Sequence, residues 1–372
     1  MHIGFDAKRA FTNTTGLGNY SRTAINGLCR SYPEHVYTLY TPSTGRDPGY
    51  RPPGNAGVVK PATAWAKTLS SFWRSYGIRN QLLEDQVDLY HGLSNELPFT
   101  LERSGIRSVV TIHDLIFLRH PELYPRIDRR IYLRKTLHAV KSADRIIAIS
   151  RQTRDDLIEL LDADEQKIRI VYQGCNPWFY EPVDASEKER IRVKYDLPEH
   201  YLLYVGTIEA RKNLLTIIRA MHEHRIDIPL VAVGGKTPYF DRISSYMNAQ
   251  QVKNICFHHH IDNADLPGIY QQSEAFIYPS SYEGFGIPVL EALNSGVPVI
   301  TSKGGCLEET AGDGGVLVEP GNVDDLAGAI QQVLSDSTLR KHLVEKGKAH
   351  ALKFREVHTI PGIMNVYKEC LS

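Results

Sequence analysis

Short apolar runs alternate with amphipathic helical patterns along the whole chain. Stretches such as YSRTAINGLCRSY, RRIYLRKTLHAVKSA, NLLTIIRAMHEH and VDDLAGAIQQVLSD carry the 3.6-residue period of helices. Twelve runs predict buried strands: HIGFDA, VYTLYT, DLYHG, SVVTIHD, DRIIAIS, KIRIVYQG, YLLYVGT, PLVAVGG, NICFHH, AFIYPS, PVITS and GGVLVEP. Apolar strands separated by helices are typical of parallel sheets that helices cover on both faces. The pattern therefore predicts an α/β fold with doubly wound, Rossmann-like sheets.

The number of strands and the chain length both indicate two domains. Twelve strands are too many for one such sheet, and single cores stop growing at roughly 250–300 residues, whereas this chain has 372. The stretch YQGCNPWFYEPVDASEKER, with two prolines and no strand or helix period before residue 186, interrupts the alternation. We therefore predict Rossmann-like domains at 1–175 and 176–355, with ligands bound at the carboxyl ends of the strands.

Charge and cysteine content narrow the partners and the compartment. The 43 basic and 43 acidic residues cancel, so nothing indicates a nucleic-acid partner. Residues 1–172 hold 24 basic and 18 acidic residues, and this excess of six indicates either an anionic partner or a solvated basic face. Five scattered cysteines, no signal-peptide pattern and no apolar run near the ~20 residues of a membrane span predict a cytoplasmic protein.

Two junctions of the first domain are candidates for ligand contact. Gly16 and Gly18 follow the first predicted strand, where they could bring a helix N-terminus close to an anion. A tight turn explains these glycines equally well. His113 and Asp114 end the strand SVVTIHD, and His113 could hydrogen-bond a substrate hydroxyl or take part in proton transfer. It could equally be a packed, satisfied side chain in the interdomain wall.

Arg211 and Lys212 are the candidate cations of the second domain. They follow the strand YLLYVGT and precede the helix NLLTIIRA. A guanidinium fork and an ammonium point charge can together neutralise a diphosphate. Adjacent cations are usually solvated surface charges, but a strand–helix junction favours a binding role.

The most specific pattern is SSYEGFGIPVLEA at residues 280–292. It follows the strand AFIYPS, and it places Glu283 in a glycine-containing turn and Glu291 two turns into a helix. Carboxylates accept hydrogen bonds from paired sugar hydroxyls. Both carboxylates and the amides of Gly284 and Gly286 are within reach of one elongated ligand, so this segment predicts a binding site.

Two apparent metal motifs are not predicted to bind metal. The triplet His258–His260 lies on a strand, where alternate side chains face opposite sides of the sheet. Asp162-Ala-Asp164 has the D-x-D form of some metal-dependent sugar transferases, but it lies at the amino end of a strand and is interpreted as a loop or helix cap. We expect no metal ion and no cofactor.

Together, YEGFGIPVLEAL, GTIEARKNL, TIHDLIFLRHPELYP and ADRIIAIS resemble the retaining, metal-independent glycosyltransferases of the GT-B fold. The similarity is to glycosyltransferase family 4 (glycosyl transferases group 1), which includes bacterial mannosyltransferases, and it spans nearly the whole chain. The resemblance implies two Rossmann-like domains facing across a cleft, with an N-terminal acceptor domain (1–175) and a C-terminal nucleotide-sugar donor domain (176–355). It also implies that the last helix, at about 356–372, packs back on the N-terminal domain.

The resemblance further implies a role for each candidate residue. Arg211 and Lys212 would hold the donor diphosphate and stabilise the leaving group without a metal. Glu283 would contact hydroxyls of the transferred sugar, Glu291 would contact the nucleotide ribose, and His113 would lie near the sugar and the acceptor. The remaining implied donor-binding residues are Gly16, Gly18, Gly206, Gly284, Phe285, Gly286 and Ile287.

The implied reaction moves a hexose, with retention, from a nucleotide-diphosphate sugar to a glycan or lipid-linked saccharide in cell-surface polysaccharide synthesis. GDP-mannose is the favoured donor, and UDP-glucose, UDP-galactose and UDP-N-acetylglucosamine stay open as donors. The sequence also leaves open a UDP-N-acetylglucosamine 2-epimerase-like enzyme and a catalytically silent subunit that binds a sugar nucleotide.

One segment of the first domain suggests a membrane contact. The helical stretch 64–79 combines aromatic, apolar and basic residues, namely Trp65, Leu69, Phe72, Trp73, Tyr76, Lys67, Arg74 and Arg79. A basic helix with aromatic side chains can lie on an anionic membrane, although the same spacing fits a helix packed against a core. Peripheral association with the inner face of the plasma membrane is therefore a hypothesis.

Overall fold

The computed structural model describes residues 1–45, 49–62 and 69–372, except for the side chain of Ser70. It divides the chain into two compact units. Unit 1 comprises Met1–Gly174 and Phe354–Ser372, and unit 2 comprises Cys175–Lys353. Each unit contains one parallel sheet with helices, so the predicted α/β class with two Rossmann-like sheets is confirmed.

The sheet of unit 1 has seven parallel strands. They are β1 (His2–Asp6), β2 (Val36–Tyr40), β3 (Ala56–Val59), β4 (Leu89–Gly92), β5 (Arg107–Ile112), β6 (Arg145–Ala148) and β7 (Ile168–Ile170). Their order in the sheet is β3-β2-β1-β4-β5-β6-β7. Strands are added in opposite directions from β1 and from β4, so the carboxyl ends of these two strands form the topological switch point of unit 1.

Strand β3 was missed from the sequence. It lies at the edge of the sheet, and its two central residues are exposed. A four-residue strand that contains a glycine and faces solvent lacks the apolar run on which the prediction depended.

The sheet of unit 2 has six parallel strands. They are β8 (Leu202–Val205), β9 (Leu230–Val233), β10 (Ile255–His258), β11 (Ala275–Tyr278), β12 (Val299–Ser302) and β13 (Gly315–Val318). Their order is β10-β9-β8-β11-β12-β13, and the register pairs Ala275 with Leu202 and Phe276 with Leu203. The switch point of unit 2 therefore lies between β8 and β11.

Helices connect the strands in both units. Among the described residues they are α1 (Lys8–Thr12), α2 (Gly16–Ser31), α3 (Ser70–Phe72), α4 (Ile78–Glu84), α5 (Ile116–Arg119), α6 (Arg126–Ser142), α7 (Arg151–Leu161), α8 (Ala185–Lys194), α9 (Leu214–Glu223), α10 (Tyr239–Gln250), α11 (Leu266–Gln271), α12 (Ile287–Ser295), α13 (Gly305–Ala311), α14 (Val323–Ser335), α15 (Ser337–Ala351) and α16 (Glu356–Leu371). A π-helical turn, Trp73–Gly77, joins α3 to α4. The helices α2, α6, α9 and α14 confirm the four quoted amphipathic patterns.

The C-terminal helix α16 is part of the core of unit 1. Ile360, Ile363, Met364 and Tyr367 are buried in the same apolar cluster as residues of β1 and α2. The helix approaches α2 at Gly27, where an added Cβ would lie 2.4 Å from Ile360 Cδ1. A side chain at this position would require Ile360 to shift, so the glycine permits the close approach of α2 and α16.

A buried polar network connects α16 to the sheet. His91 on β4 hydrogen-bonds the hydroxyl of Tyr367 through Nδ1 at 2.6 Å and that of Thr111 through Nε2 at 2.8 Å. Thr111 in turn hydrogen-bonds Tyr20 of α2 at 2.9 Å. Burial lowers the pKa of His91 to about 3, so this imidazole is neutral at physiological pH.

Candidate active site

The two most specific sequence patterns meet at one edge of the sheet in unit 2. Arg211 and Lys212 lie in a short 3-10 turn after β8, and Glu283 lies in the loop after β11. β8 and β11 are neighbouring parallel strands, and the strand order reverses between them, so their carboxyl ends form the switch point of the sheet. This is the position in open α/β sheets where ligands bind.

Arg211 and Glu283 form a nearly buried ion pair. Arg211 Nη1 lies 2.7 Å from Glu283 Oε1, and the two side chains are only 9% and 15% exposed. The same carboxylate oxygen accepts hydrogen bonds from the Tyr278 hydroxyl at 2.8 Å and from Ser280 Oγ at 3.0 Å. Arg211 also donates to Glu209 Oε1 at 2.6 Å and to the Tyr282 carbonyl. Both charged groups are therefore held in one orientation.

Hydrogen bonds fasten the β8 and β11 loops to each other. The Asn213 side-chain amide donates to the Pro279 carbonyl at 2.8 Å, and the Ser281 amide donates to the Arg211 carbonyl at 2.9 Å. Asn213 has a left-handed backbone with φ of 56°, a conformation that asparagine tolerates better than most residues. The ion pair is thus supported by a rigid backbone frame.

Electrostatics keep the Glu283 carboxyl ionised. Burial alone would raise its pKa, but the charges of Lys212 and Arg211, together with the donated hydrogen bonds, lower the pKa below its ordinary value. Lys212 Nζ lies 3.9 Å from Glu209 Oε1 and 5.8 Å from the Tyr278 ring centre. Arg211 is committed to protein acceptors, whereas the Lys212 ammonium is not held within hydrogen-bond distance of a carboxylate in the described residues. Lys212 is therefore the cation available to an anionic ligand.

Close backbone packing explains two of the glycines in this region. A Cβ on Gly206, directly after β8, would lie 3.2 Å from the Tyr278 ring, and one on Gly286 would lie 3.0 Å from Leu307 Cδ2. The Cys306 thiol donates to the carbonyls of Glu283 and Phe285, at 3.0 and 2.7 Å. These hydrogen bonds from α13 fix the shape of the turn that precedes α12.

Helix α12 directs its N-terminus at this turn. Gly286 is its N-cap residue without a side-chain cap, and a proline occupies its first turn. The first amides of a helix lack acceptors within the helix and carry the positive end of its dipole. Ile287 and the preceding Gly284, Phe285 and Gly286, for which the resemblance implies donor binding, thus lie at the positive end of this helix.

Glu291 has a carboxyl group that changes its ionisation near neutral pH. The carboxyl lies in α12, accepts a hydrogen bond from the Tyr270 hydroxyl at 3.0 Å, and has its pKa raised by burial to about 7. Among the described residues it forms no ion pair with a cation, and a buried carboxyl in that state destabilises the fold when it is ionised. This cost is consistent with a ligand-binding residue, as the sequence pattern predicts.

The residues predicted in unit 1 lie at the edge of a different sheet. Gly16 and Gly18 are in the first turn of α2, and a Cβ on Gly18 would lie 1.8 Å from the Asn13 carbonyl. The close backbone approach at Gly18 is therefore to the chain itself, whereas Gly16 has open space around it. The Asn13 side chain caps this turn by accepting from the Gly18 amide at 3.1 Å.

His113 follows β5 and is buried. Its Nε2–H donates to the Leu93 carbonyl at 2.9 Å, and the Tyr20 ring packs edge-on at 4.7 Å. Burial lowers the pKa of His113 to about 4, so the imidazole is neutral and cannot serve as a proton donor near pH 7. With Nε2 carrying the proton, Nδ1 is a hydrogen-bond acceptor that suits a hydroxyl donor.

Unit 1 contains a cavity that no sequence pattern predicted. It has a volume of about 190 Å³ and is lined by residues that follow β1, β4 and β5, together with side chains of α6. Arg9, Glu96, Asp114, Tyr132 and Lys135 are among its lining residues. Asp114 belongs to the predicted junction SVVTIHD, but no short motif marks the other four, which come from separate segments that the switch point of the sheet brings together.

In unit 2 the overlooked residues are those that orient the predicted ones. Glu209 and Tyr278 contact Arg211 and Glu283, and Tyr270 contacts Glu291. Glu209 is two residues from Arg211 in GTIEARKNL, so its proximity could have been noticed. Tyr270 comes from α11, and nothing in the sequence connects it to α12.

The two apparent metal motifs, Asp162-Ala-Asp164 and His258–His260, make hydrogen bonds within the fold. Asp162 ends α7 in a left-handed conformation, and Asp164 Oδ1 accepts from the Gln166 amide, so the loop or cap interpretation is confirmed. His259 Nδ1 hydrogen-bonds the Gly234 carbonyl at 2.9 Å. Among the described residues, no three His, Cys, Asp or Glu side chains form a group that could hold a metal ion.

The structure describes only part of the segment 64–79, for which membrane contact stays a hypothesis. Trp65 and Lys67 lie outside the described residues. Trp73 is buried, and Arg74 forms a buried ion pair with Asp6 at 2.6 Å and another with Glu96, so neither faces a membrane. Leu69 and Phe72 are exposed. Within the described ranges, no helix combines the length and apolarity needed to cross a bilayer.

Comparison with known proteins assigns the family. Residues 14–179 match the model of Glycosyltransferase Family 4, and residues 186–350 match that of Glycosyl transferases group 1. The chain is 33% identical to the O-antigen chain mannosyltransferase B of Escherichia coli over 295 residues, which are 77% of this chain and 76% of that protein.

Solved structures share the fold over the full length. The sucrose-phosphate synthase of Thermosynechococcus elongatus superposes with a TM-score of 0.79 at 22% identity, covering 99% of this chain and 98% of that one. Anabaena HepE in complex with UDP and glucose superposes with a TM-score of 0.75 at 16% identity, covering 99% and 100%. This chain is thus a glycosyltransferase of the GT-B fold that belongs to glycosyltransferase family 4 (glycosyl transferases group 1).

Proposed function

We propose that the protein transfers a hexose, with retention of anomeric configuration, from a nucleotide-diphosphate sugar to a saccharide acceptor. One observation carries this proposal. Glu283 and Arg211 are fixed against each other at the switch point of unit 2, with the Lys212 ammonium beside them and the N-terminus of α12 next to them. A carboxylate for sugar hydroxyls and cations for a diphosphate are what a sugar nucleotide requires.

The charges support departure of the nucleotide diphosphate. As the bond between the sugar C1 and the phosphate oxygen breaks, its electron pair goes to the phosphate. Lys212, the adjacent Arg211 and the α12 dipole would stabilise that negative charge in a preorganised environment. Cationic side chains would then take the part that a metal ion takes in other sugar transferases, which is why we propose a metal-independent reaction.

The surroundings of Glu283 favour a positioning role over a nucleophilic one. Its Oε1 accepts from Arg211, Tyr278 and Ser280, and its pKa is lowered. A carboxylate stabilised in this way is weakly basic and weakly nucleophilic. We therefore propose that the acceptor oxygen bonds to C1 on the face that the phosphate leaves, while its proton passes to the departing phosphate oxygen, and that Glu283 orients the sugar.

GDP-mannose is the donor that we propose first. The relative with 33% identity is named as a mannosyltransferase, and the candidate residues of unit 2 fit any sugar nucleotide. A UDP-hexose is the second candidate, because Anabaena HepE, which shares the fold, was solved with UDP and glucose. The base would be selected outside the motif residues, so the motifs do not separate these donors.

The unit 1 cavity is the proposed acceptor site. Glu96 and Asp114 supply acceptors for hydroxyls, Arg9 and Lys135 supply donors, and Tyr132 supplies an aromatic face. At about 190 Å³ the cavity is smaller than the roughly 300–1,000 Å³ of sites for drug-sized ligands, so we expect it to take one sugar ring. A glycan or a lipid-linked saccharide in cell-surface polysaccharide synthesis would supply such a ring.

Release of nucleoside diphosphate tests this function. Purified protein is incubated with GDP-mannose or with UDP-glucose, UDP-galactose and UDP-N-acetylglucosamine, with membrane glycolipid extract as acceptor. We expect turnover with GDP-mannose, unaffected by EDTA, and an α-linked product by NMR. A requirement for a divalent metal would contradict the metal-independent mechanism, a β-linked product would contradict retention, and turnover with a UDP-sugar alone would replace the donor.

A further inference from the structure

A buried arginine joins the ends of two neighbouring strands in unit 1. Arg74 Nη1 lies 2.6 Å from Asp6 Oδ2, and Arg74 Nη2 donates to Glu96 Oε2. Asp6 ends β1 and Glu96 follows β4, and the carboxyl ends of these strands form the switch point of unit 1. The Arg74 and Asp6 side chains are only 9% and 5% exposed. One buried side chain therefore connects the two strand ends at which open α/β sheets bind ligands.

A π-helical turn supplies this arginine. Arg74 lies in the turn Trp73–Gly77, and π-helical turns are rare and frequently occur at functional sites. The Ser75 carbonyl of this turn accepts a hydrogen bond at 2.8 Å from the amide of Phe99, which lies in the connection between β4 and β5. The turn is therefore fixed to the segment that follows β4.

The backbone around Glu96 is tightly constrained. A Cβ on Gly92, the last residue of β4, would lie 2.1 Å from the Glu96 carbonyl oxygen, so the loop folds back closely on its own strand. Asn95 has a left-handed backbone with φ of 58°, and its amide donates to the Thr111 carbonyl at 2.9 Å. The side-chain oxygen of Asn95 accepts from the His113 amide at 2.8 Å. Contacts with both β4 and the end of β5 therefore set the position of Glu96.

The two oxygens of the Glu96 carboxylate have different surroundings. Oε2 accepts from Arg74 and, at 3.2 Å, from Lys135 Nζ, whereas no described residue donates a hydrogen bond to Oε1. Glu96 and Lys135 line the unit 1 cavity, but Arg74 and Asp6 do not. The cations thus occupy one carboxylate oxygen and leave the other as an acceptor at the wall of the cavity.

Stability alone does not account for this cluster. Within the part of the chain that the structure describes, Arg74 Nε and the nearby Tyr90 hydroxyl are buried and have no hydrogen-bond partner. Unsatisfied buried donors oppose folding, and buried ion pairs contribute little net stability because their charges lose hydration. Such a cost is expected where the charged groups serve a ligand.

We propose that Arg74 is a positioning residue for the acceptor saccharide, an inference that rests on the proposed function. Asp6 orients the Arg74 guanidinium, which holds Glu96 Oε2, so that Glu96 Oε1 accepts a hydrogen bond from a saccharide hydroxyl. The planar guanidinium can hold two carboxylates in a defined geometry, whereas the ammonium of lysine is a point charge on a flexible stem. Arg74 contacts no substrate itself and acts on acceptor binding through Glu96.

The kinetics of Arg74→Lys test this role. Transfer to membrane glycolipid extract is measured beside hydrolysis of the same sugar nucleotide by water, which needs no saccharide in the unit 1 cavity. We expect the KM for the extract to rise about tenfold or more, with hydrolysis changed by less than about twofold, because only acceptor positioning is disturbed. An unchanged KM would overturn the proposal, and so would an equal loss in both reactions.

A double-mutant cycle with Glu96→Gln tests whether Arg74 acts through Glu96. Arg74 and Lys135 can only donate, so the glutamine would place its oxygen on them and its NH₂ group at the cavity. We expect Glu96→Gln to lower kcat/KM for the extract about tenfold, and Arg74→Lys to lower it by less than about threefold further in that background. Full multiplication of the two single effects would overturn the proposal.

Arg119→Lys is the matched control. Arg119 Nη2 lies 2.7 Å from Asp156, a buried carboxylate of α7, and neither residue lines the cavity. This variant therefore exchanges a comparable arginine–aspartate pair of unit 1, and we expect its KM for the extract to equal that of the wild type. A control that raises the KM as much as Arg74→Lys does would overturn the assignment.

Binding of methyl α-mannoside, titrated by NMR, keeps the two proposals distinguishable because it needs no turnover. Weaker binding to Arg74→Lys than to a wild type that shows no turnover would reject the proposed function and retain the positioning role. Turnover with equal probe binding in the two proteins would reject the positioning role and retain the function. A wild type with neither turnover nor probe binding would overturn both. A cooperative thermal transition in each variant shows that it is folded.

Discussion

At the residue scale, Glu291 is the clearest case of a side chain that costs stability. Its pKa of about 7 in the folded protein lies well above the ordinary value for a glutamate, so ionisation of this carboxyl at neutral pH opposes folding. The hydrogen bond from Tyr270 compensates only in part. A carboxyl in this position is expected where its acceptor oxygens serve a ligand.

Glu291→Gln should therefore separate stability from binding. The amide still accepts from Tyr270, but it carries no charge, so we expect the free energy of unfolding at pH 8 to rise by about 1–3 kcal/mol. We also expect nucleotide binding to weaken, and to lose the part of its pH dependence, up to about tenfold between pH 6 and 8, that comes from ionisation of Glu291. Denaturant unfolding and titration calorimetry measure the two effects. A variant that is less stable and binds nucleotide normally would refute this role.

Glu283 is expected to matter for turnover more than for donor binding. Replacing it by Gln removes the charge that orients the sugar, and we expect the turnover number to fall about 10²–10³-fold. Tyr278→Phe removes one hydrogen bond to the same oxygen and should have a smaller effect in the same direction. The rate of nucleoside diphosphate release measures both. Exposed Glu345→Gln is the control, and unimpaired turnover in Glu283→Gln would remove this residue from the site.

At the element scale, the contact between α2 and α16 depends on one missing side chain. Gly27→Ala would place a methyl group 2.4 Å from the buried Ile360 Cδ1, so we expect a loss of about 1–3 kcal/mol in the free energy of unfolding. Gly328→Ala in α14 is the matched control. That glycine has open space around its Cβ position, and the substitution should stabilise by about 0.5–1 kcal/mol.

A double-mutant cycle tests whether crowding against Ile360 causes the loss of stability in Gly27→Ala. If crowding by Ile360 destabilises Gly27→Ala, then adding Ile360→Val should recover part of the loss. Additive effects of the two substitutions would show that the crossing of α2 and α16 relaxes and does not depend on the glycine.

The elements show why some of the structure was readable from sequence and some was not. Twelve strands were marked by apolar runs, because a strand covered on both faces must be apolar throughout. β3 carries no such run, because it lies at the sheet edge with exposed central residues. The segment 64–79 was ambiguous because a basic aromatic helix has the same spacing whether its rings face solvent or core, and the structure contains both, with Phe72 exposed and Trp73 buried.

The residues of the candidate site also form two groups, those that the sequence indicated and those that only the structure shows. Arg211, Lys212, Glu283 and Glu291 could be chosen as candidates from the sequence, since each lies at a strand–helix junction or within a short motif. Their partners Tyr270 and Cys306 come from other elements, and the unit 1 cavity assembles side chains from four segments, so only tertiary contacts reveal them.

At the scale of the whole molecule, buried histidines make unit 1 sensitive to acid. Burial lowers the pKa of His91 to about 3 and that of His113 to about 4. In the unfolded chain both titrate near 6.5, so the unfolded state binds more protons below that pH and stability is lost as the pH falls from about 6.5. Each histidine contributes a slope of about 1.4 kcal/mol per pH unit between about pH 6 and its folded pKa.

Unfolding of unit 1 between pH 7 and 4.5 measures this sensitivity. We expect His91→Gln to reduce the pH slope of the unfolding free energy by about 1.4 kcal/mol per unit, whereas replacing the exposed His342 by Gln should leave the slope unchanged. An identical slope in the wild type and in His91→Gln would show that His91 makes no contribution to acid unfolding.

The central claim is that the carboxyl edge of the unit 2 sheet holds the diphosphate of a sugar nucleotide. The most direct test is calorimetric titration of the wild type and of Lys212→Ala with GDP, UDP and the corresponding monophosphates. Lys253→Ala, at the amino end of β10, is the control. We predict that Lys212→Ala weakens binding of the preferred diphosphate about tenfold or more, that the monophosphate is affected less, and that Lys253→Ala binds like the wild type. Equal diphosphate affinity in all three proteins would contradict the account.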